Sequence, residues 1–209
     1  INAFRGILYD IELIQKKSSP KGKQEMIKGS ALEILPTLEP DQFNGVITSP
    51  PYCNRYDYTR TYALELACLN IGESEIRRLR QSQLSCTVEN RSKLDNLEMY
   101  YKSINQSERF EQISHIILRN RAFQEINRAL TKRWARGEIN NKGVLSMVAG
   151  YFTELTFVFA EIYRTCKSGS KVAFVNDNVR YGGEIIPVDL LSTKIAETIG
   201  FKPVKVYVL

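Results

Sequence analysis

Apolar residues at three- and four-residue spacing open the chain: Phe4, Ile7, Leu8, Ile11 and Ile14 predict a helix over residues 1–17. The run Lys16-Lys17-Ser18-Ser19-Pro20 closes it. The period then shortens. Residues 25–28 read as a short strand, Ser30 is placed to cap a helix through Ala31-Leu32-Glu33-Ile34-Leu35, and 43–48 reads as a buried strand ending at a double proline. Further on, Ile113, Ile116, Ile117, Phe123, Ile126, Leu130 and Trp134 form an apolar stripe over 108–136. Tyr151, Phe152, Leu155, Val158, Phe159 and Ile162 define an amphipathic helix that Lys167-Ser168-Gly169 stops. Strand 171–175, helix 187–199 ended by Gly200, and strand 204–209 complete the pattern. Alternating helices and strands are the grammar of an open α/β sheet, with a polar, helix-prone stretch interrupting it.

This divides the chain into a first part of the α/β core, 1–71, a helical insertion, 72–148, and a second part of the core, 149–209. With 209 residues and 43% hydrophobic content, the chain is the size of one α/β domain with an insertion. No run of about 20 apolar residues and no export signal is present, so no membrane partner is expected and a cytoplasmic location is. Cys53, Cys68, Cys86 and Cys166 lack CxxC spacing, which predicts free thiols and neither a metal site nor a disulfide framework.

Charge changes the picture of the insertion. The net charge is +6, and residues 72–148 hold 14 Lys/Arg against 9 Asp/Glu, +5 of the total. Arg119, Arg121, Arg128, Lys132 and Arg133 lie beside the apolar stripe. An excess concentrated in one segment suits a polyanion, because phosphates neutralised by Lys and Arg release counterions. A solvated helical face is the alternative.

The candidate chemistry lies where strand 43–48 delivers Ser49-Pro50-Pro51-Tyr52 to its carboxyl end, the place where open α/β sheets hold ligands. Consecutive prolines fix φ and keep the preceding residues extended, so the carbonyls of Ser49 and Pro50 point outward as rigid acceptors. A base amino group is a poor nucleophile because its lone pair is delocalised into the ring. Two fixed acceptors on its hydrogens favour a more tetrahedral, reactive nitrogen, and Tyr52 offers a face on which an extruded base can stack. The bare tetrapeptide also reads as a polyproline-like exit from a strand.

The segment Ile47-Thr48-Ser49-Pro50-Pro51-Tyr52-Cys53-Asn54-Arg55-Tyr56-Asp57-Tyr58-Thr59-Arg60 resembles the amino-methylating DNA methyltransferases, which carry a D/N/S-P-P-Y/F motif after a strand. Lys28-Gly29-Ser30-Ala31-Leu32-Glu33 is similar to that family's strand-then-helix segment bordering the cofactor adenine. Glu161 to Ser170 and Asn176-Asp177-Asn178-Val179-Arg180 are similar to its later helix-turn and loop. The resemblance implies a Rossmann-like methyltransferase sheet with helices on both faces and a helical insertion, S-adenosylmethionine as methyl donor, and duplex DNA as partner, in a prokaryotic, nucleoid-associated setting. It places Ser49, Pro50, Pro51 and Tyr52 in catalysis, and Gly29, Ser30, Thr48 and Ser49 at the cofactor. Asn54, Arg55, Tyr56, Tyr58, Arg60 and Arg180 are assigned to substrate DNA. Serine in the first motif position favours cytosine N4; adenine N6, RNA amino methylation and an inactive nucleic-acid-binding subunit are the alternatives.

The family's glycine-rich cofactor loop, F-x-G-x-G, is absent from the 209 residues, as is an acidic residue for the ribose. The resemblance therefore implies an incomplete methyltransferase, paired with the missing part of the enzyme or working beside a cognate restriction endonuclease. His115, the only histidine, reads as structural, and Asn176-Asp177-Asn178 falls short of a calcium loop. Cys53 has no necessary role in direct transfer to nitrogen.

Overall fold

The computed structural model describes residues 2–17 and 24–207. Its secondary structure begins with α1 (Asn2–Lys17), α2 (Ala31–Ile34), a 3-10 turn (Leu35–Thr37) and β1 (Phe43–Thr48). Seven helices follow: α3 (Tyr58–Thr61), α4 (Ala63–Cys68), α5 (Glu73–Ser82), α6 (Leu94–Ser103), α7 (Ser107–Leu118), α8 (Arg121–Ala135) and α9 (Gly143–Thr165). The chain returns through β2 (Cys166–Phe174), β3 (Val179–Tyr181), β4 (Glu184–Ile186) and α10 (Val188–Ile199).

This is a mixed α/β fold in which β1 and β2 pair in parallel, from Gly45 opposite Lys171 to Thr48 opposite Phe174. Parallel neighbours need a crossover connection, and here it is residues 49–165 with seven helices. The pairing continues past the strands, where the Val175 amide donates to the Thr48 carbonyl over 3.0 Å. β3 and β4 form an antiparallel hairpin closed by Gly182 and Gly183. Their φ values of +55° and +85° suit the left-handed conformations of a tight hairpin turn.

The core is organised around α9. Val144, Met147, Val148, Tyr151, Phe152, Leu155 and Phe159 pack against Ile117, Phe123, Leu130, Ile186, Val188, Leu191 and Ile195. A second face carries Phe157, Val158 and Ile162 against Leu32, Leu97, Tyr101, Phe110 and Ile113, with Val46 and Val172 of the sheet leaning on it. Each fully buried large side chain in such a core contributes about 1.5–3 kcal/mol. By length and composition α9 is the one helix among the described residues that could cross a bilayer, and in this structure it is the central core helix.

Two carboxylates interrupt that apolar helix, and both are compensated. Glu154, 2% exposed, accepts from the Ser85 amide (2.8 Å) and hydroxyl (2.5 Å) and from Lys93 Nζ (3.0 Å). Burial outweighs these partners and pushes its pKa up. Glu161 takes the Tyr101 hydroxyl (2.8 Å), Arg164 Nε (2.7 Å) and an ion pair with Arg109 (3.3 Å). Arg164 in turn donates to the Leu35 carbonyl, and the amides of Asp41 and Gln42 donate to the carbonyls of Arg164 and Thr165. The last turn of α9 thus fixes the entry to β1.

Several expectations are corrected. Residues 25–28 form no strand, and 204–207 form none either; 208–209 lie outside the described residues, as do Ile1 and the breaker at 18–20. β1 is not buried: only Val46 and Thr48 are partly covered, and Ile47 is 89% exposed. The apolar run implied cover on both faces, whereas among the described residues one face of β1 and one of its edges are open. The apolar stripe of α1 is likewise exposed. The stripe over 108–136 breaks into two helices because Asn120 caps α8, its side chain accepting from the Phe123 amide. α9 continues to Thr165 and passes directly into β2, without a stop at 167–169, and the division at 148/149 falls inside it.

Replacing Lys93 with Met leaves Glu154 without its cation in a site only 2% exposed, at an expected cost of about 3–5 kcal/mol near pH 7. Because burial already raises the Glu154 pKa, the stability tied to its neutral form is present below the ordinary carboxylate range and lost as pH rises. Urea unfolding of K93M should therefore show a deficit that shrinks from pH 7 towards pH 4. A deficit independent of pH would remove the ion pair from the account.

Candidate active site

Thr48-Ser49-Pro50-Pro51-Tyr52 leaves the carboxyl end of β1 at the surface, with Ser49 exposed and Pro50, Pro51 and Tyr52 half-buried. Among the described residues no donor occupies the carbonyls of Ser49 or Pro50. The Tyr52 hydroxyl lies 3.4 Å from the Ser49 hydroxyl, and the Tyr52 amide donates to the Tyr58 hydroxyl at 3.4 Å. The Asn54 amide donates to the Tyr52 carbonyl over 2.8 Å, which turns the chain sharply after the motif.

The following loop is held from three sides. Asp57 caps α3, accepting from the Thr59 amide (3.0 Å) and hydroxyl (2.6 Å). Arg80 of α5 lies 2.9 Å from Asp57 Oδ2, with side-chain exposures of 18% and 8%, and donates to the Thr59 hydroxyl over 3.0 Å. Asn90 ties the Arg80 carbonyl (2.8 Å) to the amides of Cys86 (3.1 Å) and Thr87 (3.0 Å), and the Cys86 thiol reaches the Tyr56 carbonyl. From the opposite side, the Tyr181 hydroxyl of β3 donates to the Cys53 carbonyl over 2.6 Å. Tyr151 of α9 and Asn176 also share a hydrogen bond.

Among the residues assigned to DNA, Asn54, Arg55, Tyr56 and Arg60 are exposed beside the motif. Asn54 Oδ1 accepts from the Tyr56 amide (3.1 Å), and Arg55 is held at φ +65°, a left-handed conformation that costs a non-glycine residue on the order of 1–3 kcal/mol. Arg60 is engaged with Asp57 (3.2 Å) and Glu89 (2.9 Å). Tyr58 is half-buried, packs edge-on to Tyr56 at 5.3 Å between centroids, and uses its hydroxyl on Tyr52. Arg180 is exposed on the hairpin that Tyr181 fastens to Cys53.

The residues assigned to the cofactor are less united. Thr48 and Ser49 sit at the strand end, whereas Gly29 is exposed with its Cα close to Ile34, where an added Cβ would lie 2.8 Å from Cδ1. Ser30 occupies the cap position of α2 without a side-chain cap bond; its hydroxyl donates to the Ser82 carbonyl at 3.1 Å. Among the described residues no hydrogen bond joins 29–30 to 48–49. His115 is exposed on α7, in an open groove of about 750 Å³ between α7, α8 and α10 that contains no motif residue.

Burial raises the Cys53 thiol far above its ordinary range and the Cys86 thiol to about 11, so neither is a thiolate nucleophile near neutral pH. No group of three His, Cys, Asp or Glu among the described residues could hold a metal. The residues missed in the sequence are Arg80, Asn90 and Tyr181, which hold the loop together with the capping side chain of Asp57. Asp57-Tyr58-Thr59 has the composition of a helix cap, and Tyr181-Gly182-Gly183-Glu184 that of a hairpin turn; the partners of Arg80 and Asn90 leave no local trace.

Comparison with known proteins finds similar chains. The chain is 62% identical over 210 residues to the Type II methyltransferase M.BsoBI of Geobacillus stearothermophilus, and the match takes in 100% of this chain. Its relatives are type II methyltransferases. The M.AvaI enzymes of Nostoc and of Anabaena variabilis match at 46% identity over 184 residues, 88% of the chain. The chain spans only 41% of the length of M.BsoBI and 36% of that of the M.AvaI type II methyltransferases. No family model and no solved structure matches.

Exchange of Arg80 for Met should free the loop after the motif, so trypsin cuts at Arg55 and Arg60 several-fold faster while helical circular dichroism is retained. Unchanged cleavage would show that the Arg80–Asp57 pair does not hold it. Of the four thiols, exposed Cys68 should alkylate rapidly at pH 8 and Cys53, Cys86 and Cys166 slowly; fast modification of Cys53 in the folded chain would contradict its burial.

Proposed function

We propose that this chain carries the base-methylating site of a DNA methyltransferase, which transfers a methyl group to the exocyclic amino nitrogen of a base rotated out of the duplex. Cytosine N4 is the favoured acceptor. One observation carries the reading: a rigid Ser-Pro-Pro-Tyr segment lies at the surface at the carboxyl end of a parallel strand, with no donor on its Ser49 and Pro50 carbonyls among the described residues. Similarity to type II methyltransferases, over 100% of the chain for M.BsoBI and 88% for M.AvaI, supports it.

The chain's own residues perform the acceptor half of the reaction. The carbonyls of Ser49 and Pro50 accept from the two hydrogens of the amino group and make its nitrogen more tetrahedral as the bond forms. Tyr52 stacks on the base, its ring braced by the Ser49 hydroxyl and its amide by Tyr58. The proton leaving the nitrogen passes to a motif carbonyl or to water, and His115 stands apart from it.

The methyl donor implied by this reading is S-adenosylmethionine, whose sulfonium supplies an electrophilic methyl group. The residues of this chain do not make a full cradle for it. Thr48 and Ser49 lie at the strand end, but the Ser30 hydroxyl is committed to Ser82, Gly29 offers no side chain, and the sequence holds neither a glycine-rich loop nor a ribose-binding acid beside them. On this reading the rest of the cradle comes from another part of the enzyme, within a restriction-modification pair. Asn54, Arg55, Tyr56 and Arg180 line the approach to the base.

In a preparation competent for methyl transfer, Tyr52→Ala should lower the transfer rate at least about a hundredfold, as expected when the positioning of the reacting base is lost, while duplex binding stays within about twofold. Unchanged turnover would remove Tyr52 from the site. Digestion of the product to nucleosides and mass analysis should show N4-methylcytosine; N6-methyladenine would move the assignment to the adenine branch.

A further inference from the structure

We propose that the exposed face of α8 is a seat for the phosphate backbone of duplex DNA, held in fixed relation to the methylating site by the β3–β4 hairpin. This rests on the DNA reading above and names the surface that grips the strand. Arg128 and Lys132 of α8 and Arg136 at its C-cap follow one another at four-residue spacing, so they share one side of the helix over about 12 Å, comparable to roughly three base-pair steps of duplex axis at ~3.4 Å each. They line an open cavity of about 390 Å³ together with Arg133, Glu125 and Glu184.

Three exposed cations stand in one row on this face, whereas several cations of other helices are paired along their own helix. On α5, Arg77 and Arg78 are matched to Glu73 and Glu75, and on α10 Lys194 is matched to Glu197. Among the described residues Arg128, Lys132 and Arg136 have no carboxylate partner; Arg128 only donates to the Gln124 carbonyl of its own helix. Their apolar neighbours on the opposite side of α8, Phe123 and Leu130, are locked into the core, so the row presents its charges from a rigid support.

Arg133 plays a different part. Its Nε meets Glu184 of β4 at 2.7 Å and its Nη1 meets Glu138 at 2.6 Å, while Gly182 sits so close that an added Cβ would lie 2.8 Å from Ile139 and 3.3 Å from Arg133 Cβ. The hairpin is therefore clamped onto the C-terminal half of α8. Its other strand sends the Tyr181 hydroxyl to the carbonyl of Cys53, the residue after Tyr52, and carries exposed Arg180 beside it. One two-stranded element joins the cationic row to the methylating motif, so a strand lying along α8 is held at a set distance from the base it delivers.

The test is equilibrium binding of the 209-residue chain to two duplexes of unrelated sequence across a range of KCl concentrations. Combined Arg128→Gln, Lys132→Gln and Arg136→Gln should reduce the magnitude of the slope of log K against log salt by about 2–3, equally on both duplexes, since each phosphate contact contributes about 0.9. The charge-keeping pair Arg128→Lys and Arg136→Lys should retain the slope. Arg77→Gln, Arg78→Gln and Lys102→Gln remove the same charge elsewhere and should change it by less than about one. A slope unchanged in the α8 variant, or changed as much in the control, overturns the seat while leaving the methylation reading standing. Absence of duplex binding by the unaltered chain overturns the seat and the DNA reading together, and loss confined to one duplex overturns a backbone seat in favour of base contacts.

Discussion

Parallel pairing of β1 with β2 is the constraint from which the arrangement of this protein follows. Two parallel strands in register must be joined by a long excursion, and the excursion here holds both the motif at its start and the core helix at its end. The motif leaves β1 at the same end of the sheet at which Phe174 and Val175 leave β2, and from there the chain turns into the β3–β4 hairpin. Tyr181 and Cys53, so distant in sequence, meet because the segments that carry them follow β2 and β1 from the same end of the parallel pair. Closure of that excursion depends on α9, whose apolar surface gathers α7, α8 and α10 on one side and α2 and α6 on the other.

Apolar contacts alone tolerate sliding, and the carboxylates buried in α9 give the assembly a register. Glu154 accepts only the particular geometry of Ser85 and Lys93, and so places the 84–93 segment; Glu161 places Tyr101, Arg109 and Arg164. Such groups are costly to bury unless fully paired, so a misplaced insertion would lose both pairs at once. The first of these reaches the site, because the segment fixed by Glu154 includes Cys86 and Asn90, which brace Arg80 and the loop after Tyr52.

Much of this was legible in the sequence. The helical periods of α1, α9 and α10, the strand 43–48 and the Ser-Pro-Pro-Tyr exit all come from local spacing, which is where sequence carries structure most directly. What was not legible is what depends on distant partners. Ile47 and Val46 are indistinguishable as strand residues, yet one leans on the core and the other is 89% exposed, a difference set by which face α9 covers. Ser30 looks like a cap, but its hydroxyl finds Ser82 instead. The residues that hold the motif loop, Arg80 and Asn90, lie in the insertion, read as a DNA-contacting segment and not as a support for the site. At the strand end, Thr48 and Ser49 lie apart from Gly29 and Ser30, a separation set by distant packing that local spacing does not carry.

The open side of β1 has a consequence for handling the molecule. Among the described residues β1 has a row of unanswered amides and carbonyls along one border and an isoleucine projecting into water from its surface, a template on which an extended segment can add itself. Together with the bare apolar ridge of α1 this makes self-association of the isolated chain a matter of concentration, so dilute solutions and short storage favour the monomer over sticky multimers.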